Sequence, residues 1–332
     1  MLKKKSIITS IGNATVDIFF YTDEASLIRN GSDVTKKRLL AFEYGAKITS
    51  DDVHFCLGGG GANSAMTFSR MGLRPSLISS IGSDAFGQEI IKNMQAAQVQ
   101  TAAVQRQSAE QTAFAFVVGG RKWQDHVLFH HSGASDQLSL TTAMMQKLAT
   151  PWLYVTAFRT TRWTPNFAAL MQAVARKSLK MYWNPNPKEI IDNWTKVKKY
   201  LPLMEGLQLN LDEALEVLHS RGHQVKSLQP KGAIRLLHEF GQNLTVITNG
   251  DKGAYVYDGK KIIYKSSPAT KIISTTGAGD AFGSGFVSGL IRFQGNLNRS
   301  LALAVHNATS VLTEVGAQKG LLTERDIKRL NV

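Results

Sequence analysis

Between residues 151 and 248 the chain alternates apolar runs with amphipathic stretches, and this rhythm constrains the fold more than any other feature. Runs at 152–157, 179–184, 206–210 and 244–248 read as buried strands, separated by helical patterns at 165–177, 187–202, 211–219 and 230–240. Strands joined through helices cannot pair as hairpins. They need crossovers, which make the sheet parallel and cover both of its faces with helices. The same reading extends upstream, with strands at 6–12 and 77–82 and helices from the glycine run at 58–61 through Met71 and over 86–97. Downstream it predicts short strands at 253–258 and 261–266 and helices at 278–293 and 298–313. Two pieces break the rhythm: 14–57 is polar and irregular, and 112–131 reads as a hairpin around Gly119-Gly120. The expectation is one domain over 1–332. It is a doubly wound, mostly parallel α/β sheet with helices on both faces, plus a small β-sheet lid from about 14–57 and 112–131.

Composition narrows the function. A hydrophobic content of 43% suits a buried core, and a single cysteine, Cys56, excludes a disulfide framework or a cysteine-based zinc site. That fits a reducing, cytoplasmic setting. No apolar run approaches the ~20 residues of a membrane helix. Met1-Leu2-Lys3-Lys4-Lys5 reads as the flank of a first strand, not a signal peptide. The formal net charge of +14 raises nucleic-acid binding as a reading. The lysines are scattered, however, and no nucleic-acid motif accompanies them. A basic field also attracts small phosphorylated anions.

The chemistry concentrates in Thr275-Thr276-Gly277-Ala278-Gly279-Asp280-Ala281-Phe282-Gly283. At a helix start the backbone N–H groups lack intrahelical partners, so Gly277, Ala278 and Gly279 can present donors to an anion. A carboxylate beside a phosphate nest would be repelled by it unless it served the chemistry. Asp280 therefore reads as the base for a hydroxyl attacking phosphorus. Asp84-Ala85-Phe86-Gly87 repeats the last four residues, but Asp84 follows Ser83 and lacks the nest; it reads as a helix N-cap. Neither a P-loop nor the dinucleotide fingerprint is present, since Asn63 and Phe282 stand where the latter needs its last glycine. Asn13 and Asp17 follow the first strand, where open α/β sheets bind ligands, and can bond two hydroxyls or simply stabilise a turn. Gly59 and Gly60 allow close backbone approach, and Asn63 adds an amide at the helix start. Asn210 and Glu213 follow another strand, with the spacing of a capping box.

In order along the chain, these elements resemble the ribokinase (PfkB) family of carbohydrate and nucleoside kinases. Gly58-Gly59-Gly60-Gly61-Ala62-Asn63-Ser64-Ala65 resembles its N-terminal signature and Thr275 to Phe282 its C-terminal one. Gly12-Asn13-Ala14-Thr15-Val16-Asp17 is similar to its first substrate-contacting turn. The resemblance implies that Asn13, Asp17, Gly59, Gly60 and Asn63 meet the acceptor. It implies that Asn210 and Glu213 serve magnesium and phosphate, Glu213 through water, since magnesium keeps much of its hydration. Thr248, Gly250 and Gly253 would lie along the nucleotide, and Asn307 near the adenine. Arg159 and Arg162 could grip a phosphate on the substrate, and Trp123 and His126 could close over it. Many members carry an acidic residue before the Thr-Thr-Gly-Ala-Gly-Asp run, where it helps hold a monovalent cation; Ser274 stands there instead, which puts potassium activation in doubt.

The expected activity is transfer of the ATP γ-phosphoryl group to a sugar-like hydroxyl, with ATP and Mg2+ and without nucleic acid or membrane as partner. A nucleoside kinase of the adenosine type is the alternative, and a non-catalytic nucleotide- or sugar-binding protein a third reading. Exposed lid strands would permit a homodimer.

Overall fold

The computed structural model describes residues 7–29, 38–50, 52–120, 127–158 and 160–330. Its main sheet has eight strands. Across the sheet they run Ile262–Lys265, Ala254–Tyr257, Thr245–Thr248, Gly206–Asn210, Lys180–Asn184, Trp152–Thr156, Ile8–Ile11 and Pro75–Ile78. The six from Thr245–Thr248 to Pro75–Ile78 are parallel, and the two at the far edge are antiparallel.

Alternation along these strands builds two cores. Leu153, Val155, Met181, Trp183, Leu207 and Leu209 face helices Trp163–Lys177, Leu211–Ser220 and Pro230–His238. Trp152, Tyr154, Tyr182 and Val246 face Ala278–Arg292 and Leu297–Val311 on the other side. A sheet buried on both faces must be apolar at successive positions, which is why these runs look continuous in sequence.

The rhythm-breaking pieces form a separate four-stranded sheet ordered Val127–His131, Phe114–Gly119, Thr15–Tyr21 and Asp52–Gly58. The piece at 14–57 is less irregular than expected. Thr15–Tyr21 and Asp52–Gly58 pair antiparallel over their full lengths, and Ser26–Arg29 pairs with Arg38–Ala41 between them. The hairpin at 112–131 pairs Phe114–Gly119 with Val127–His131. Polar residues hid the first pair: Asp17 and His54 interrupt it on the face that also holds Phe19, Cys56, Ala115 and Val117, while Val53 and Phe55 stand exposed.

Two other expectations are corrected. The strand at 77–82 is two strands: Pro75–Ile78 enters the main sheet, while Ser80–Gly82 pairs with Gln105–Gln107 in a sheet of its own. The helix at 187–202 is broken into Pro187–Ile191, Trp194–Val197 and a 3₁₀ turn at Leu201–Leu203. Asn193 stands at the first break, its Nδ2 donating to Glu189 O at 3.3 Å, and Asn186 caps the first piece with a full capping box to Glu189.

Candidate active site

The first strand, Ile8–Ile11, is followed in sequence by its neighbour on one side, Pro75–Ile78, and later by its neighbour on the other, Trp152–Thr156. The sheet therefore reverses direction of growth beside Ile8–Ile11, and crevices open at the carboxyl ends of strands at such a point. Gly12, Asn13 and Thr156 stand there. The Asn13 carbonyl accepts from Gly61 N at 2.9 Å and Ala62 N at 3.2 Å, tying the strand end to the start of helix Gly60–Arg70. Gly59 before that helix has φ 86°, a left-handed geometry that glycine adopts without strain. A side chain at Gly60 would press on Thr156 and on Asp280 Oδ1. Such crowding brings the glycine run, the end of Trp152–Thr156 and Asp280 together. Asn13 Oδ1 is buried and without a partner among the described residues.

Gly277 caps helix Ala278–Arg292 with φ 77°. Ala281 N closes the first helical bond to Gly277 O at 2.8 Å, and Ala278 N makes a long bond of 3.4 Å to Thr275 O. The amides of Gly277, Gly279 and Asp280 make no hydrogen bond among the described residues, so two of the three donors named from the sequence are free and Asp280 N adds another. From behind, Gln208 Nε2 donates to Gly279 O at 3.2 Å, and Tyr182 Oη donates to Gln208 Oε1 at 3.2 Å.

Asp280 is partly buried and accepts from Asn63 Nδ2 at 2.9 Å. Desolvation holds its carboxyl above the usual range, and the Asn63 bond opposes that rise. Across from it, Asp17 on lid strand Thr15–Tyr21 is 9% exposed. Burial raises its carboxyl to about 6; the Thr15 hydroxyl at 3.2 Å lowers it, and the Asp280 charge raises it further. Two carboxylates that feel each other thus border one space.

On the other side of the helix start lies a cavity of about 580 Å³. Ala278 and Gly279 form one end, Thr248, Gly250 and Gly253 another, and Val305, Ala308 and Leu312 an apolar wall. Asn307 is not on that wall. It is fully buried between the last two long helices, where Nδ2 donates to Ala281 O at 2.7 Å and Oδ1 accepts from Leu322 N at 2.9 Å. Its neighbours Ala308 and Thr309 reach the cavity instead.

Asn210 and Glu213 also stand outside the cavity lining and make a full capping box, each side chain accepting the other's backbone N–H at 2.9 Å. Burial raises the Glu213 carboxyl, against the Asn210 bond, and Glu216 and Asp212 add to the rise. The Ser274 hydroxyl accepts from Thr276 N at 3.3 Å. Asp84 caps its helix, accepting from Gly87 N at 2.8 Å. Arg162 is exposed at the start of helix Trp163–Lys177, while Arg159, Trp123 and His126 lie outside the described residues. A larger cavity of about 700 Å³ runs along the lid's edge strand, lined by Phe55, Leu57, Met66, Arg70 and Gln318.

Sequence reading passed over Thr156, Gln208 and Gln318. Gln208 carried a signal: it is the polar residue inside the buried run Gly206-Leu207-Gln208-Leu209. Gln318 carried none.

The family model described as pfkB family carbohydrate kinase matches residues 14–324. The chain belongs to that family. With it the chain joins the phosphotransferases that take an alcohol as acceptor. Among curated relatives, a ribokinase from Haemophilus influenzae is 27% identical over 297 residues, covering 85% of this chain and 89% of its own. The fold is ribokinase-like: a ribokinase from Cryptococcus neoformans in complex with ADP superposes with a TM-score of 0.77 at 23% identity, over 98% of this chain and 100% of that one. A nucleoside kinase from Burkholderia thailandensis in complex with inosine gives 0.75 at 16% identity, over 97% of each. Among the described residues no helix is long and apolar enough to cross a membrane.

Proposed function

We propose that the chain transfers the γ-phosphoryl group of ATP to a hydroxyl of a sugar or sugar-like acceptor, with Asp280 as general base. The observation that carries this reading is the position of Asp280. It lies on the first turn of a helix whose amides at Gly279 and Asp280 are free, between the 580 Å³ cavity and the crevice bordered by Asn13 and Asp17. In the reaction the acceptor oxygen attacks the γ-phosphorus, the bond to the departing ADP oxygen breaks, and the hydroxyl proton passes to Asp280. Helix-start donors from Gly277 to Asp280 meet the charge that develops on the transferred group. Asn13 Oδ1, an orphaned acceptor, suits a sugar hydroxyl, and Asp17, Gly59, Gly60 and Asn63 complete that side. The Thr248, Gly250 and Gly253 edge and the apolar wall at Ala308 suit the nucleotide, a role that Asn307 supports from within the helix pair.

No cluster of three metal-ligating side chains occurs among the described residues. That fits Mg2+, which is held mainly by phosphates and water with a single carboxylate such as Glu213 nearby. Bound there, the ion would neutralise phosphate charge. Ser274 in place of a carboxylate argues against potassium activation. A cytoplasmic setting, where ATP and reduced thiols prevail, suits the reading.

The test is a panel of sugars, sugar phosphates and nucleosides with ADP detection, followed by Asp280→Asn on the best acceptor. Loss of general-base catalysis should lower kcat by about 10²- to 10⁴-fold. Turnover within about threefold of wild type would sink the base assignment. Preference for nucleosides would favour the nucleoside-kinase reading, and ligand binding without acceptor-dependent ADP release would favour a pure binder.

A further inference from the structure

Asn63 touches the carboxylate with one end of its amide and a distant loop with the other. Its Nδ2 donates to Asp280 Oδ2 at 2.9 Å, and its Oδ1 accepts from Gln318 Nε2 at 3.0 Å. Asn63 is 4% exposed, so water does not replace either contact. The direction of this chain of bonds is set at one end. An ionised Asp280 only accepts, so Asn63 must present N–H₂ to it, which turns the Asn63 oxygen toward residue 318 and demands a donor there. Gln318 supplies that donor.

The loop that carries Gln318 is itself fastened. Arg70 Nη1 donates to the carbonyls of Gln318 at 2.7 Å and Lys319 at 3.0 Å. Arg70 and Asn63 lie seven residues apart on helix Gly60–Arg70, two turns along the same face. One helix therefore holds the loop at its far end and receives the loop's side chain near its start.

We propose that Gln318 is a positioning residue of the phosphotransferase, fixing which end of the Asn63 carboxamide faces Asp280. Turned end for end, Asn63 would set its oxygen against the Asp280 carboxylate and its nitrogen against the Gln318 amide nitrogen, two repulsions in place of two bonds. The inference rests on Asp280 being the base. Among the described residues, the titratable groups that face Asp280 are Asp17 on the lid strand and the Tyr154 hydroxyl on strand Trp152–Thr156.

The test reads the Asp280 carboxyl itself, by 13C resonance of Asp-labelled protein across pH, with Asp280→Asn identifying the signal. In Gln318→Ala the Asn63 amide is free to turn, and the Asp280 midpoint should rise by about one pH unit, a tenfold smaller ionised fraction below the midpoint. In Gln318→Glu a carboxylate stands at each end of one amide, and the rise should be larger. Gln318 is only partly buried, so both variants should fold. A purely structural role would instead loosen the site, admit water and lower the midpoint. An unmoved or lowered midpoint in both variants overturns the proposal. With the best acceptor of the panel, kcat measured below the Asp280 midpoint should fall about tenfold in Gln318→Ala while the KM for ATP stays put. A raised KM for ATP with unchanged kcat also overturns it. Near wild-type turnover of Asp280→Asn would overturn the base reading. That result stands apart, because the carboxyl titration needs neither acceptor nor turnover.

Discussion

Replacing Asn307 with alanine separates two roles that a polar residue on the penultimate helix could have. The side chain is fully buried and both of its ends are used by backbone: Nδ2 by Ala281 O and Oδ1 by Leu322 N. Ala281 lies inside helix Ala278–Arg292, so its carbonyl keeps an intrahelical donor after the change, and only the net worth of one bond is lost, about 1 kcal/mol. Leu322 N has no such reserve, and leaving it unpaired in a partly buried site costs about 1–2 kcal/mol. The vacated volume adds a smaller penalty, for about 2–4 kcal/mol in all. At about 2.1 cal/mol/K per residue, the unfolding entropy of the 332-residue chain is about 0.7 kcal/mol/K, so the melting temperature should fall by about 3–6 °C. Scanning calorimetry measures that fall, and ATP saturation kinetics on the folded variant should give a KM within about twofold of wild type. A variant that melts within 1 °C of wild type but needs tenfold more ATP would refute the reasoning and return Asn307 to the adenine.

Asp17 gives a pH prediction of definite sign. Its folded carboxyl lies at about 6, above its unfolded value of 3.8, so the native state binds the proton more tightly and stability falls as pH rises from about 4 to 6. Asp17→Asn keeps the geometry without the charge. Urea midpoints should show it more stable than wild type at pH 7.5, by about 1–3 kcal/mol, with little difference at pH 4; equal stability at both pH values would contradict this. Glu189, raised to about 7 by burial against its bonds to Asn186, Trp163 and Phe158, leaves part of the slope in place. Asp84 behaves in the opposite sense. Despite some burial, its bonds from the Thr112 hydroxyl, Thr112 N and Gly87 N depress the carboxyl, so its contribution is present above the unfolded value and lost in acid. Asp84→Ala should cost about 1–3 kcal/mol at pH 7 and leave kcat per folded enzyme unchanged, although Asp84-Ala85-Phe86-Gly87 repeats the motif of Asp280.

Local chemistry was legible in the sequence. The nest and carboxylate from Gly277 to Asp280 lie within one helical turn, and the Asn210–Glu213 box is complete within four residues. Buried parallel strands announce themselves as apolar runs. The strand pair in the lid did not, because one of its faces carries Asp17 and His54. Nor did the helix breaks after 191 and 197: Asn193 bonds to the Glu189 carbonyl at the first and Pro202 stands in the turn beyond the second, while the apolar period continues. The run at 77–82 gave no sign of a split, since both halves are fully buried and only their partners differ.

The sequence by itself determined the family, the layered architecture and a glycine turn that opens a helix beside a carboxylate. These follow from residues adjacent in the chain, where period and turn chemistry act directly. Only the tertiary structure decided which side chains meet. Asn63 joins Asp280 across 217 residues and Gln318 across 255, and Asn307 turns inward while Ala308 and Thr309 turn to the cavity. Such contacts depend on how packed helices are rotated and where a loop is fastened. Those are properties of the assembled core that no local pattern encodes.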